Sequence, residues 1–351
     1  MKICLYTDNH FSQYSSIVRK RGNKYSLRLE NQIQSLNWVE QVAKEKECSS
    51  IICLGDFFDT STISAEELTA LKDVNFNKDI EHIFLVGNHE MGNNDLSYNS
   101  TNALSQYGKV INKPTIDCGF GYEILYLPYM LESNRKPLEE IIEETVKEYY
   151  TGMFTTQEVK ERIILSHNDL KGIRYGQYES KQGFDIKEIE KCCSLFINGH
   201  LHNQQQITSK ILNLGNLTGQ NFSEDGFKYS HCLAILDTNT LKIDLINNPY
   251  AFNFYKIDTT EDNDFNVLDK CINGIVTIKV NQDKVEELKE KLNNVSNIIE
   301  YRILINQNTQ INVDNSNQPI LKLDHIQQFK NYILNNLENS DVLKEELSLL
   351  N

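Results

Sequence analysis

The chain has 351 residues, 40 % of them hydrophobic, and 35 Lys and Arg stand against 49 Asp and Glu for a formal charge of −14. This is an ordinary globular composition, long enough for one sizeable core and a smaller one. The negative balance excludes a generic nucleic-acid coat protein, whose affinity comes from Lys and Arg meeting phosphates. It leaves room for a polyanion substrate wherever recruited cations reverse the local sign. The opening MKICLYTD holds too few apolar residues for a secretory signal, and no stretch approaches a membrane span. A cytoplasmic protein of a bacterial cell or phage-infected host, without membrane contact, is therefore expected. Eight scattered cysteines with no C-x-x-C pair read as small buried hydrophobes in a reducing compartment.

In chain order, short apolar runs predict strands at KICLYT (2–7), SIICLG (50–55), HIFLVG (82–87), YEILYLP (122–128), RIILSH (162–167), SLFING (194–199) and ILNLG (211–215). Ile33, Leu36, Val39 and Val42 recur at helical spacing and predict a helix over 31–47; a second is expected over 135–150. Strands alternating with helices imply an α/β layered fold, and the closely spaced later strands an added or second sheet. HCLAILDTNTLKIDLI (231–246) reads as a hairpin around its DTNT turn, and polar TTEDND (259–264) as a boundary. GIVTIKV, DKVEELKEKL and IIEYRILI then form a strand, helix, strand unit, and Ile326, Phe329, Ile333 and Leu337 share one helical face near the end. The expected division is 1–255 for the main domain, 256–310 for a small domain and 311–351 for a helical segment.

The strand ends carry the chemistry. Asp8 and His10 follow the first strand, Asp56 and Asp59 (GDFFD) the second, and Asn88, His89 and Glu90 (GNHE) the third. His167 (SHND) and His200 with His202 (INGHLH) follow two later ones. In α/β sheets the carboxyl ends of strands are where ligand sites are built. Each motif alone is turn chemistry as readily as half a metal site. Five such ends, holding five of the eight histidines, point to a shared metal site. His82, His231 and His325 are left to surface or satisfied core roles.

D-x-H, G-D-x-x-D, G-N-H-E, an isolated later His and G-H-x-H, in this order, resemble the calcineurin-like metallophosphoesterases over roughly residues 2–220. The resemblance implies an α/β fold, a four-layer α-β-β-α metallophosphoesterase sandwich, here followed by a small C-terminal α+β capping domain and a helical tail. It implies two divalent metal ions, one held by Asp8, His10, Asp56 and His202, the other by Asp56, Asn88, His167 and His200. Imidazole and carboxylate together suit first-row divalent ions such as Mn or Fe; Mn is the metal expected, with Fe, Mg or Zn as alternatives, and an Asn carbonyl adds a ligand without adding charge. Two ions about 3.5 to 4 Å apart can share a water, lower its pKa and present it as hydroxide to phosphorus. His89, assigned to neither ion, would position the phosphate or protonate the leaving oxygen, and Asp59 and Glu90 would orient ligands.

Protein phosphatases of this family continue the second motif with Arg-Gly, the Arg clamping a monoester. Here GDFFDTST places Thr60 and Ser61 there, which favours a diester. The domain order resembles SbcD-like and meiotic-recombination-eleven nuclease subunits, which implies DNA as substrate, an SbcC-like ATPase partner and a homodimer. Two departures stand out: GNHE where those nucleases more often have Asp after the His, and an insertion starting at Phe11. Arg19, Lys20, Arg21, Lys24 and Arg28 in that insertion suit either a phosphate backbone or pairing with surface carboxylates. Arg174, with Lys171, Lys181, Tyr175 and Tyr178, would form a second wall of a groove or a plain surface loop. The expectation is a two-metal DNA exonuclease or endonuclease of a recombination and repair complex; the alternative is a phosphatase or diesterase acting on a nucleotide or other small phosphoester. A metal-free scaffold fits poorly, since every ligand is present.

Overall fold

Seven apolar runs expected as strands fall into two stacked sheets. The computed structural model describes residues 1–119, 122–151, 161–175 and 178–306, without the side chains of 174, 175 and 178. The first sheet has the order Lys242–Asn247, Cys232–Asp237, Lys2–Tyr6, Ser50–Cys53, Glu81–Leu85, Lys109–Ile111. The second runs Gln205–Gln206, Ile211–Asn213, Leu195–Asn198, Glu161–Ser166, Tyr122–Leu127, Thr115–Gly119. Lys2–Tyr6 through Lys109–Ile111 are parallel, as are Ile211–Asn213 through Tyr122–Leu127. Parallel strands are covered on both faces, which is why runs such as SIIC and LFIN are apolar or buried at every position.

Between the sheets, Ile3, Leu5, Ile52 and Ile83 meet Ile124, Ile163, Leu165 and Ile197. Outside the first sheet, α1 (Leu27–Glu45) and α2 (Ala65–Ala70) set Leu29, Leu36, Val39 and Ala70 into a core with Cys4, Ile51 and Phe84. Outside the second, α3 (Leu138–Tyr150) and α4 (Ile186–Cys192) pack Ile141, Ile142 and Ile189 with Leu125, Ile164 and Phe196. The molecule thus has the four-layer α-β-β-α arrangement. All eight cysteines are free and at least partly buried. Among the described residues no helix is long and apolar enough to cross a membrane.

Three boundaries differ from expectation. The helix expected over 31–47 begins at Leu27, because the Ser26 side chain accepts from Leu29 N and caps it there. The helix expected from 135 begins at Leu138, since Pro137 disfavours a helical residue before it. Asn253–Asp258 is a strand that periodicity alone missed, and the boundary drawn between 255 and 256 cuts it. It pairs in parallel with Gly274–Asn281, which pairs in parallel with Ile298–Asn306. On this three-stranded cap, α5 (Val285–Asn294) packs Val285, Leu288 and Leu292 with Tyr255, Val276 and Ile278. Met1–Gln307 form one compact unit. The expected helical segment at 311–351 lies outside the described residues.

The insertion after His10 is not a free basic loop. Arg302 Nη2 donates to Ser16 O at 3.1 Å, Arg19 N donates to Glu300 Oε2 at 3.2 Å, and Lys20 Nζ donates to Ile299 O. Val18 is buried in a cluster with Phe252, Phe254 and Ile275. The segment therefore straps the first motif to the cap.

Candidate metal centre

The five motif loops leave parallel strands at their carboxyl ends, so they meet on one rim. Backbone hydrogen bonds stitch them together: Asp8 N to Gly55 O and His10 N to Asp56 O at 3.0 Å each, and Gly199 N to Ser166 O at 2.8 Å. Asp8 (φ 50°), His10 (47°), Asp56 (50°) and His200 (73°) all lie in the left-handed region. Such non-glycine conformations cost about 1–3 kcal/mol each and cluster where function holds them. A Cβ on Gly199 would stand 2.2 Å from Thr7 Oγ1 and 2.9 Å from His167 Nδ1. Gly199→Ala is accordingly expected to weaken metal binding by roughly tenfold or more, measured by metal titration, because it displaces residues of both clusters described next.

The first cluster joins Asp8, His10 and His202. His10 Nδ1 donates to Asp59 Oδ1 at 3.0 Å and His202 Nδ1 to Glu224 Oε1 at 2.8 Å. Each Nδ1 thereby carries a proton, and the two Nε2 atoms face each other 3.1 Å apart. Asp8 Oδ2 accepts from Thr7 Oγ1 (2.6 Å) and His200 N (2.9 Å). Its Oδ1 is buried without a hydrogen-bond partner, 3.8 Å from each of the two Nε2 atoms. Three converging donor atoms with nothing to bond except one another fit a divalent cation.

The second cluster joins Asp56, His167 and His200. His167 Nδ1 donates to Leu54 O at 2.9 Å, turning Nε2 toward Asp56 Oδ2 (3.1 Å) and Asn88 Oδ1 (3.2 Å). His200 has the opposite tautomer: Nε2 faces Asp169 Oδ1 at 3.2 Å, leaving Nδ1 2.8 Å from Asn88 Oδ1. Asp56 Oδ2 also lies 4.0 Å from His10 Nε2, so this one oxygen stands between the clusters. The structure thus brings the seven residues expected as ligands together on one rim.

Electrostatics follow from this crowding. Burial would lower His167 and His202, but Asp56 and Asp8 beside the one, and Glu224 and Asp8 beside the other, outweigh it and raise both to about 9. Burial would raise the Asp56 carboxyl, yet His167, His10 and His89 hold it well below the usual carboxylate range. In the metal-free chain, protons on His167 and His202 thus stand where cations would. Both residues must lose them to bind metal, so affinity should rise with pH up to about 9 and flatten above it. Metal titration at pH 7 in buffers of different ionisation enthalpy should register roughly two protons released per filled centre.

A third grouping, His10, Asp59 and His89, is of another kind. The Nδ1 atoms of both histidines already bond Asp59, His10 to its carboxylate and His89 to its carbonyl O at 2.9 Å. Protons fill that space. The rings of His10 and His89 meet edge to face, 4.6 Å between centroids. His89 N donates to Asp56 Oδ1 at 3.0 Å, which fixes its backbone to the shared carboxylate. Glu90, fully buried, accepts from Gly87 N (2.8 Å) and Phe58 N (3.1 Å) and so ties the second motif to the third. Burial, with the Asp56 charge added, raises it to about 7.

Three residues escaped the sequence reading. Asp169 sits inside SHND, two places after His167, and was legible there; Thr7 is the last apolar-run residue before Asp8. Glu224, in a loop far from any motif, gives no signal in sequence. The basic residues fare differently from expectation. Arg28 is buried in the first turn of α1, 5 % exposed, because the helix starts early. Lys24 Nζ pairs with Asp73 Oδ2 at 2.6 Å, and Lys20 is spent on the cap. Arg19 and Arg21 remain exposed. The side chain of Arg174 lies outside the described part.

The family model for calcineurin-like phosphoesterases matches residues 1–204, more than half of the chain. The chain belongs to this family. This calcineurin-like phosphoesterase is accordingly a metal-dependent phosphoester hydrolase, with His and Asp clusters able to hold its metals. Comparison with curated proteins finds no match. Among solved structures it resembles TT1561 of Thermus thermophilus, at 11 % identity and TM-score 0.40 over 70 % of this chain and 98 % of that one. It also resembles a dimetal phosphatase from Danio rerio, at 12 % identity and TM-score 0.39 over 71 % and 99 %. A third likeness is to Yfce, a phosphoesterase from E. coli, at 10 % identity and TM-score 0.31 over 71 % and 100 %. These likenesses are too distant to bear on substrate.

Proposed function

We propose that this calcineurin-like phosphoesterase is a two-metal phosphodiesterase, with Mn as its metal and DNA as its substrate. The observation that carries the two-metal reading is Asp56 Oδ2, 3.1 Å from His167 Nε2 and 4.0 Å from His10 Nε2, shared by clusters that each present unclaimed donor atoms. Asp8, His10, Asp56 and His202 would hold one ion; Asp56, Asn88, His167 and His200 the other. When bound, such ions supply Lewis acidity at phosphate oxygens and an acidified water. The chain's own groups do the rest. Asp59 and Glu224 keep His10 and His202 in the tautomer that turns Nε2 inward. His89 commits Nδ1–H to Asp59 O and keeps Nε2 uncommitted on a side chain 44 % exposed, so its protonated form can donate to a leaving oxygen.

A diester is favoured because Thr60 and Ser61 follow Asp59 and bring no cation. DNA is favoured by Arg19 and Arg21, exposed on the strap between the first motif and the cap. A second reading, a nucleotide or small-molecule diesterase, draws on the pairing of Lys20 and Lys24 within the chain and the burial of Arg28, which leave the surface of a −14 chain less basic than its sequence suggests. As partner we propose an SbcC-like ATPase docking on residues 311–351 of a homodimer, tested by co-purification with and without that segment. The deciding experiment incubates the Mn-loaded chain with linear double-stranded DNA, single-stranded DNA and bis(p-nitrophenyl) phosphate, with His89→Asn as control. Cleavage of DNA by the wild type alone supports the nuclease; cleavage of only the small diester selects the second reading; no cleavage at full metal occupancy sinks both.

A further inference from the structure

Arg28 is buried to 5 % exposure in the first turn of α1. One turn further along the same face of α1, Gln32 Nε2 donates to Asn9 O (2.9 Å) and His10 O (2.6 Å), while Gln32 Oε1 accepts from Ser12 N (3.1 Å). This face of the helix is therefore pressed onto the loop that carries Asp8 and His10. Arg28 Nε is buried without a partner, and among the described residues the guanidinium makes no hydrogen bond or ion pair. The carboxylates that act on it are Asp59 and Glu224. Both are already engaged, Asp59 by His10 Nδ1 at 3.0 Å and Glu224 by His202 Nδ1 at 2.8 Å and Gln220 N at 2.7 Å. The charge is thus balanced at a distance, but the buried Nε–H lacks an acceptor, which an arriving anion would supply. The planar fork of Arg matches phosphate oxygens, and the anion of this enzyme is its substrate.

We propose that Arg28 grips a non-bridging oxygen of the substrate phosphate at the His10 and His202 end of the centre. This deepens the phosphodiesterase reading and rests on it. One guanidinium matches the single negative charge of a diester.

The test is isothermal titration of inorganic phosphate into Mn-loaded wild type, Arg28→Ala and Arg28→Lys. Elemental analysis of each, and steady-state kinetics on bis(p-nitrophenyl) phosphate, run alongside. Arg28→Ala is expected to bind phosphate about ten- to a hundredfold more weakly at unchanged metal content, with KM raised more than kcat is lowered, and Arg28→Lys to recover part of the affinity. Wild-type phosphate affinity in Arg28→Ala, or phosphate and metal lost together, overturns the proposal in favour of a role confined to supporting the ligands. Should the Ala variant not fold, Arg28→Lys keeps charge and bulk, and wild-type affinity in that variant overturns the proposal equally. A wild-type chain that binds phosphate through Arg28 but cleaves no diester refutes the phosphodiesterase reading and leaves the grip standing.

Discussion

Asp56→Ala is expected to strip metal from both clusters and to lower hydrolysis by about three orders of magnitude, on the scale seen when a central member of a catalytic constellation is lost. The cause is geometric. Asp56 Oδ2 lies within 4.0 Å of donor nitrogens from both sets, and Oδ1 holds His89 N. Asp8→Ala should behave differently: its bare Oδ1 faces only His10 and His202, so one ion is lost and the other retained. Elemental analysis of the two variants separates these outcomes. Two ions per chain in Asp56→Ala would show that the clusters are independent, and full occupancy in Asp8→Ala would remove Asp8 from the ligand set.

His89→Asn should leave metal content at the wild-type level and lower kcat by about a hundred- to ten-thousandfold, the range general acid catalysis supplies. Metal is retained because both Nδ1 atoms near Asp59 carry protons and His89 lends no donor to either converging set. The loss should be larger for a deoxyribose leaving oxygen, which needs a proton, than for p-nitrophenolate, which does not. Equal losses on both substrates would assign His89 to positioning alone. Parallel loss of metal would make it a ligand.

The layered core and the gathering of the motif residues were legible because each motif follows an apolar run, and parallel strands send their ends to one rim. What supports the ligands was legible only in part. Asp59 and Asp169 lie inside the quoted motifs, whereas Glu224 reaches His202 from a loop whose sequence, FSEDGF, looks like any turn. The start of α1 was missed because the pattern of Ile33, Leu36 and Val39 marks the buried stripe, while the cap at Ser26 sits ahead of it. That shift of four residues moved Arg28 from an imagined surface loop into the interior. The cap strand Asn253–Asp258 was missed because its partner Gly274–Asn281 follows a connection that no local pattern announces.

Four of the proposed ligands, Asp8, His10, Asp56 and His200, hold backbone angles that glycine adopts more easily than any of them. A chain optimised for persistence alone would therefore place glycine at these four positions, and Gly substitution there should relax the rim even as it removes the chemistry. Holding these angles places the working edge under backbone strain. Loading the centre should then raise the melting temperature by more than a surface ion would, and protect the amides of the motif loops from hydrogen exchange first. Cation binding and the ordering of this rim are then expected to be coupled.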